Sequence, residues 1–198
     1  MSQIMFNWLA FLTYAVISTA TPGPNNIMSM SNGSRLGFRR ALPFNFGILA
    51  GFAIVMLMCT AFCSTLMELL PAVQTPMLLL GAAYMLYLAW NTYKSTAEIK
   101  DNHSHSGFLS GLALQFINPK IYIYCIMSMQ AYILPIYQNQ PLILILFALL
   151  LALIGFAFTL CWSAFGSVFR VLFMRHTKTV NTIMALLLVY CAVSLFIH

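Results

Sequence analysis

Apolar residues run through this chain in six long stretches, separated by short polar segments that hold nearly all of its charge. The stretches fall at about 5–27, 43–65, 72–93, 108–134, 142–166 and 180–197, each near the ~20 residues a helix needs to cross a bilayer. The pattern predicts an all-α polytopic membrane protein with six transmembrane helices, connected near 28–42, 66–71, 94–107, 135–141 and 167–179. Two stretches are interrupted. Thr21-Pro22-Gly23-Pro24-Asn25-Asn26 breaks the first, and Gln115-Phe116-Ile117-Asn118-Pro119-Lys120 breaks the fourth. Proline lacks a backbone N–H and clashes with the preceding turn. Backbone groups freed in this way survive at membrane depth only where protein wraps them or a polar cavity receives them. Paired breaks in corresponding places of two halves are the sequence mark of a transporter's substrate site.

Composition agrees with a membrane solvent. Of 198 residues, 62% are apolar and 6% charged, with a mean hydropathy of +0.90. A soluble domain carries about 25% charged residues. The first stretch has no basic n-region and no small-residue cleavage site, so it is expected to be a retained helix rather than a signal peptide. The formal charge of +6 does not imply nucleic acid, because no basic stripe with interleaved aromatics exists. Placement accounts for the surplus instead. Arg35, Arg39 and Arg40 lie in the first connection, Lys94 and Lys100 in the third, and Arg170, Arg175 and Lys178 in the fifth. Only Lys120 lies elsewhere. By the positive-inside rule the odd connections are cytoplasmic and both termini periplasmic.

Three spans per half reverse the direction of the second half. A single transmembrane transporter domain, 1–198, then divides into repeats 1–93 and 108–198 around a cytoplasmic loop, 94–107. The broken first and fourth helices occupy matching positions in this 3+3 inverted repeat, which provides two related conformations around one central site.

The breaks supply the candidate substrate-binding residues: Pro22, Gly23, Pro24, Asn25 and Asn26 in the first, and Gln115, Asn118, Pro119 and Lys120 in the second. Carbonyls before a break and N–H groups after it, with amide side chains, can accept from an ammonium and donate to a carboxylate. A kink that only shapes packing is the plainer reading. Two prolines, a glycine and two asparagines in six residues weigh against it. Lys120 lies about 12 residues, or ~18 Å of helix rise, beyond the start of its span. A lysine at that depth is functional by default, as the partner of a substrate carboxylate, unless it snorkels to the surface along its stem.

No carboxylate falls firmly inside a span. Glu68 lies in the second connection, and Glu98 and Asp101 in the third. A proton relay through a buried acid is therefore not offered, and coupling through Lys120, Glu68, a tyrosine or the substrate's own charge stays open. His103 and His105 read as a solvated loop. Cys59, Cys63, Cys125, Cys161 and Cys191 sit in apolar runs without metal or redox spacing, so no disulfide, metal or cofactor is expected. Gly47 and Gly51 form a GxxxG that admits a close helix, within the protomer or across a homodimer. Gly33/Gly37 and Gly107/Gly111 repeat the spacing at span edges, where turns explain them. Tyr84, Tyr87, Trp90 and Tyr93 read as an interfacial belt. Tyr122 and Tyr124, after the second break, either line the cavity or pack.

Taken together, Thr21-Pro22-Gly23-Pro24, Gly37-Phe38-Arg39, Gly47, Gly51, the run Gly81 to Trp90 and Phe116-Ile117-Asn118-Pro119-Lys120 resemble the LysE/RhtB family of amino-acid exporters. The closing run Ala185 to Val193 looks like its cysteine/O-acetylserine branch. Pro43 and Asn45 depart from the family pattern with a polar, helix-disfavouring patch beside the arginines. The resemblance implies a bacterial inner-membrane protein and no enzyme. It would expel small neutral amino acids, cysteine and O-acetylserine among them, using the proton motive force. Two other classes fit a broken-helix membrane protein: a thiol/disulfide electron carrier, which needs a cysteine beside each break, and a non-transporting scaffold. Cys125 lies near the second break, with no sequence neighbour of its kind near the first.

Overall fold

A computed structural model describes residues 6–94 and 107–194. Glu98, Lys100, Asp101, His103 and His105 lie outside the described residues, as do the side chains of Cys63 and Glu68. Among the described residues every regular element is helical. In chain order they are α1 (Trp8–Ala20), α2 (Pro24–Leu36), α3 (Phe38–Ala61), α4 (Cys63–Lys94), α5 (Phe108–Ile117), α6 (Pro119–Ser128), a π-helical turn (Met129–Ile133), α7 (Leu134–Tyr137), α8 (Pro141–Val168), α9 (Arg170–Arg175) and α10 (Thr177–Ser194). The π turn ends two residues before Pro135, whose missing N–H and ring loosen the ladder there.

Two helices, Phe38–Ala61 and Pro141–Val168, are each long and apolar enough to cross a membrane. The apolar pieces Trp8–Ala20 and Phe108–Ile117 are shorter, as halves of broken helices must be. Large apolar side chains such as Leu9, Leu80, Leu109, Leu142, Leu146, Leu153 and Leu186 stay exposed around the bundle. A surface of that kind suits lipid and not water.

The first predicted connection, 28–42, is corrected. It contains most of α2 and the start of α3, joined at Gly37, whose φ of +83° only glycine adopts without strain. Hydropathy missed α2 because the helix is polar, with Asn25, Asn26, Ser29, Ser31, Asn32 and Ser34 along it. Yet Pro24 and every residue from Asn26 to Ser34 are buried. Protein surrounds this helix, so it need not be apolar. The second predicted connection, 66–71, is also helical, within α4, and the break between α3 and α4 comes earlier, at Phe62. The fifth contains α9.

Close packing rests on glycines. Gly47 and Gly51 of α3 and Gly111 of α5 let these two helices touch backbone to backbone; a Cβ at Gly47 would strike the Phe108 carbonyl, and one at Gly111 that of Phe44. The GxxxG therefore serves packing within the protomer. Gly33 of α2 meets the Ser163 backbone of α8, and Gly166 of α8 meets the Met30 carbonyl of α2. Thus Gly33 and Gly111 are packing positions, whereas Gly37 and Gly107 do serve turns. The main pairings are α2 with α8, α3 with α5, α4 with α10 and α3 with α8. Two apolar clusters result, one around Phe11, Phe52, Tyr124, Phe147 and Leu151, the other around Ile27, Phe44, Ile48, Met85, Leu114 and Leu188.

Candidate functional site

The first break begins where α1 ends at Ala20 and Thr21 turns extended (φ −63°, ψ 147°). Ending a helix leaves carbonyls without partners. Asn26 supplies the missing donor: its amide donates to Thr19 O at 2.7 Å and to Thr21 O at 2.9 Å. The indole N–H of Trp162 on α8 donates to Ala20 O at 3.2 Å. Gly23 then caps α2, and Pro24 takes its first position, where a missing N–H costs nothing. Asn26→Leu would leave the Thr19 carbonyl without this donor and the Thr21 carbonyl with Lys120 alone. It is expected to destabilise the protein by about 1–3 kcal/mol, the cost of one buried unsatisfied group, read as a lower unfolding midpoint in detergent.

The second break is built similarly. Asn118 is extended (φ −84°, ψ 101°), accepts from the Lys120 backbone N–H at 3.1 Å and so caps α6, with Pro119 at its first position.

Amides join the two breaks across about 90 residues of sequence. Asn25 donates to Gln115 Oε1 at 2.8 Å, and Gln115 Nε2 donates back to Asn25 Oδ1 at 3.1 Å. Gln115 Nε2 also reaches Gly111 O at 2.9 Å, and Asn118 Nδ2 donates to Asn25 Oδ1 at 3.2 Å. Lys120 crosses in the same direction: its ammonium donates to the Thr21 hydroxyl at 2.9 Å and the Thr21 carbonyl at 3.2 Å. These partners are neutral. Among the described residues no carboxylate faces this ammonium. It reaches the first break and does not escape to the surface along its own helix.

Between the breaks lies a hollow with about 380 Å³ of atom-free space, counting its open part. Of the residues singled out from sequence, Gly23, Pro24, Asn25, Asn26, Asn118 and Lys120 line it. Pro22, Gln115 and Pro119 do not. Gln115 is fully buried behind Asn25, and Pro119 packs on Gly81. Ser18, Thr19, Phe52, Ile121, Gly155 and Thr159 complete the lining and were not foreseen. Long-range packing brings them in, and no local motif marks them. Tyr124 also lines the hollow, buried, with a hydroxyl that meets no hydrogen-bond partner among the described residues. Tyr122 instead donates to Phe116 O at 3.1 Å. One further correction concerns sulfur. The first break does have a cysteine beside it, because α10 brings Cys191 Sγ to 3.9 Å from Pro22 O.

Two polar breaks thus face one small hollow, with a lysine passing between them. The LysE type translocator family matches residues 16–198. The chain belongs to that family. It is therefore a membrane protein, and the resemblance read from its motifs is borne out. A cysteine/O-acetylserine efflux protein of Klebsiella pneumoniae is 41% identical over 190 residues, covering 96% of each chain. Proteins of the same description from Salmonella paratyphi A and Escherichia coli K12 are 40% and 38% identical, each covering 94% of this chain and 96% of their own. No solved structure matches.

Proposed function

We propose that this protein is a secondary exporter of small neutral amino acids, cysteine and O-acetylserine foremost, held between the two broken helices. The observation that carries this is Lys120: a cation with no acidic partner among the described residues, in a hollow otherwise lined by neutral groups. Such a site has one unit of positive charge to offer, which suits the carboxylate of a zwitterion. The N-terminus of α2 adds the positive end of its dipole on the same hollow. The Tyr124 hydroxyl, unpartnered among the described residues, and the lone pairs of Thr159, whose hydroxyl donates to Phe156 O at 2.8 Å, are the lining groups that can receive the ammonium.

In this reading six spans cross the bacterial inner membrane, α1–α2 forming the first and α5–α6 with α7 the fourth. The arginine ends face the cytoplasm and both termini the periplasm. The helix pairing supports a 3+3 inverted repeat. The first span packs mainly on α8 and the fourth on α3, while α3 pairs with α8 and α4 with α10. Exchanging the halves maps this set onto itself. Return of a proton drives export. Gly47 and Gly51, the glycines read as a homodimer mark, are occupied within the protomer, so the carrier is read as acting within one chain.

Counterflow in proteoliposomes with a panel of labelled amino acids tests the reading. Cysteine and O-acetylserine are expected to exchange, and an imposed pH gradient to accelerate uptake against it. Failure of every small neutral amino acid would overturn the proposal. Cys191 and Cys125 each touch a carbonyl near the helices that carry the breaks, at 3.9 Å from Pro22 O and Met56 O. A thiol electron carrier is therefore the second reading. Replacing all five cysteines separates the two: counterflow should keep at least about half its rate, since buried thiols serve as small apolar groups. Electron transfer would vanish.

A further inference from the structure

Buried polar groups without partners are few in a folded protein, and each is costly. Four of them gather on one seam here. Ser29 Oγ and Asn32 Nδ2 on α2, Asn45 Oδ1 on α3 and Ser163 Oγ on α8 all lack hydrogen-bond partners among the described residues, in residues no more than 3% exposed. Helical spacing aligns each with the hollow. Ser29 and Asn32 follow Asn25 by four and seven residues on one face of α2, Asn45 precedes Phe52 by seven on α3, and Ser163 follows Thr159 by four on α8. All four lie on the same side of the hollow, towards the end that carries Arg35, Arg39, Arg40 and Arg170.

Glycines close this seam. Gly33 rests on the Ser163 backbone and Gly166 on the Met30 carbonyl. At these points backbone meets backbone, beside the apolar cluster that holds Met30 of α2 and receives Trp162 of α8. The opposite end differs. There Phe11, Phe147, Tyr132 and Tyr14 pack ring on ring, with Phe11 to Phe147 centroids 5.4 Å apart and Tyr14 to Tyr124 6.0 Å apart. Among the described residues Ser128 and Tyr124 contribute unpartnered buried hydroxyls on that side, two against four on the arginine side. Opening the arginine end would hydrate stranded hydroxyls and amides, whereas opening the other would wet aromatic rings. The free-energy balance favours the first.

We propose that the seam between α2, α3 and α8, lined by Ser29, Asn32, Asn45 and Ser163, is the carrier's passage to its arginine end, closed in this conformation by the contact of Gly33 with Ser163. The assignment rests on reading the hollow as a carrier site, and its test is separable from that reading. Single cysteines at Ser29 and at Ser163, in a chain otherwise free of cysteine, are exposed in vesicles to the impermeant reagent methanethiosulfonate ethyltrimethylammonium. Arg39→Cys, on an exposed residue, marks the arginine face. Both seam cysteines are expected to react from that face at least about tenfold faster than from the other, because thiol modification tracks exposure. Adding cysteine-free substrate analogue, such as serine, should shift that rate severalfold. The two positions lie on different helices, so either folded variant decides. Slow reaction from both faces, or faster reaction from the opposite face, would overturn the passage in vesicles that still perform counterflow. If no amino acid is exchanged by the wild-type chain, the carrier reading falls, while reaction confined to the arginine face still supports a gated passage.

Discussion

Lys120→Met is expected to lower counterflow by at least about 100-fold while leaving the protein inserted and folded. Truncating one member of a desolvated charge pair costs about 2–5 kcal/mol, and ~1.4 kcal/mol is a factor of ten. Methionine keeps the apolar stem that lies along Gly23, where an added Cβ would sit 3.2 Å from Lys120 Cδ. It gives up only the two bonds to Thr21, whose backbone and hydroxyl lie at an exposed residue that water can reach. The loss should therefore appear in transport and not in the unfolding midpoint. Lys120→Arg should restore little: the same Cβ position is 3.1 Å from Nζ, and a planar guanidinium is broader than an ammonium. Normal efflux by Lys120→Met would remove the carboxylate-partner role. Loss of both transport and stability would make the lysine a strut between the breaks.

How far the sequence carried this picture depended on what kind of force each feature expresses. The breaks were legible because proline and glycine act locally, and Pro24 and Pro119 do stand at the first position of the helices that follow them. The span over α8 was legible because lipid demands an unbroken apolar run. α2 was not, since its surroundings are protein, and hydropathy registers lipid contact rather than helix. The depth of Lys120 was readable, but its partner Thr21 was not, because that contact joins residues 99 apart. Gln115 was named as a substrate group, whereas it lies buried behind Asn25 and binds the first break to the second. Phe52, Gly155 and Thr159 carry no motif at all. Their place on the hollow follows from α3 packing on α8, with Gly155 under the Phe52 ring.

Gln115→Leu offers the complementary result, an effect on the joint between the breaks and not on the charge. The reciprocal amide pair with Asn25 disappears, the half-buried Asn25 Nδ2 loses its acceptor and the Gly111 carbonyl loses its side-chain donor. About 1–3 kcal/mol of stability should go with it. Counterflow should fall by about 10–100-fold, the factor that ~1.4–2.7 kcal/mol of misplaced binding geometry represents. The double variant Asn25→Leu with Gln115→Leu discriminates structure from function. Replacing both members of a buried pair by apolar groups can be nearly neutral, so the unfolding midpoint should recover towards wild type. Transport should not recover, since Asn25 lines the hollow and Asn118 loses its acceptor as well. Recovery of both would reduce the amide pair to a packing element. Recovery of stability alone would identify it as the clamp that holds two broken helices at the distance a small zwitterion can bridge.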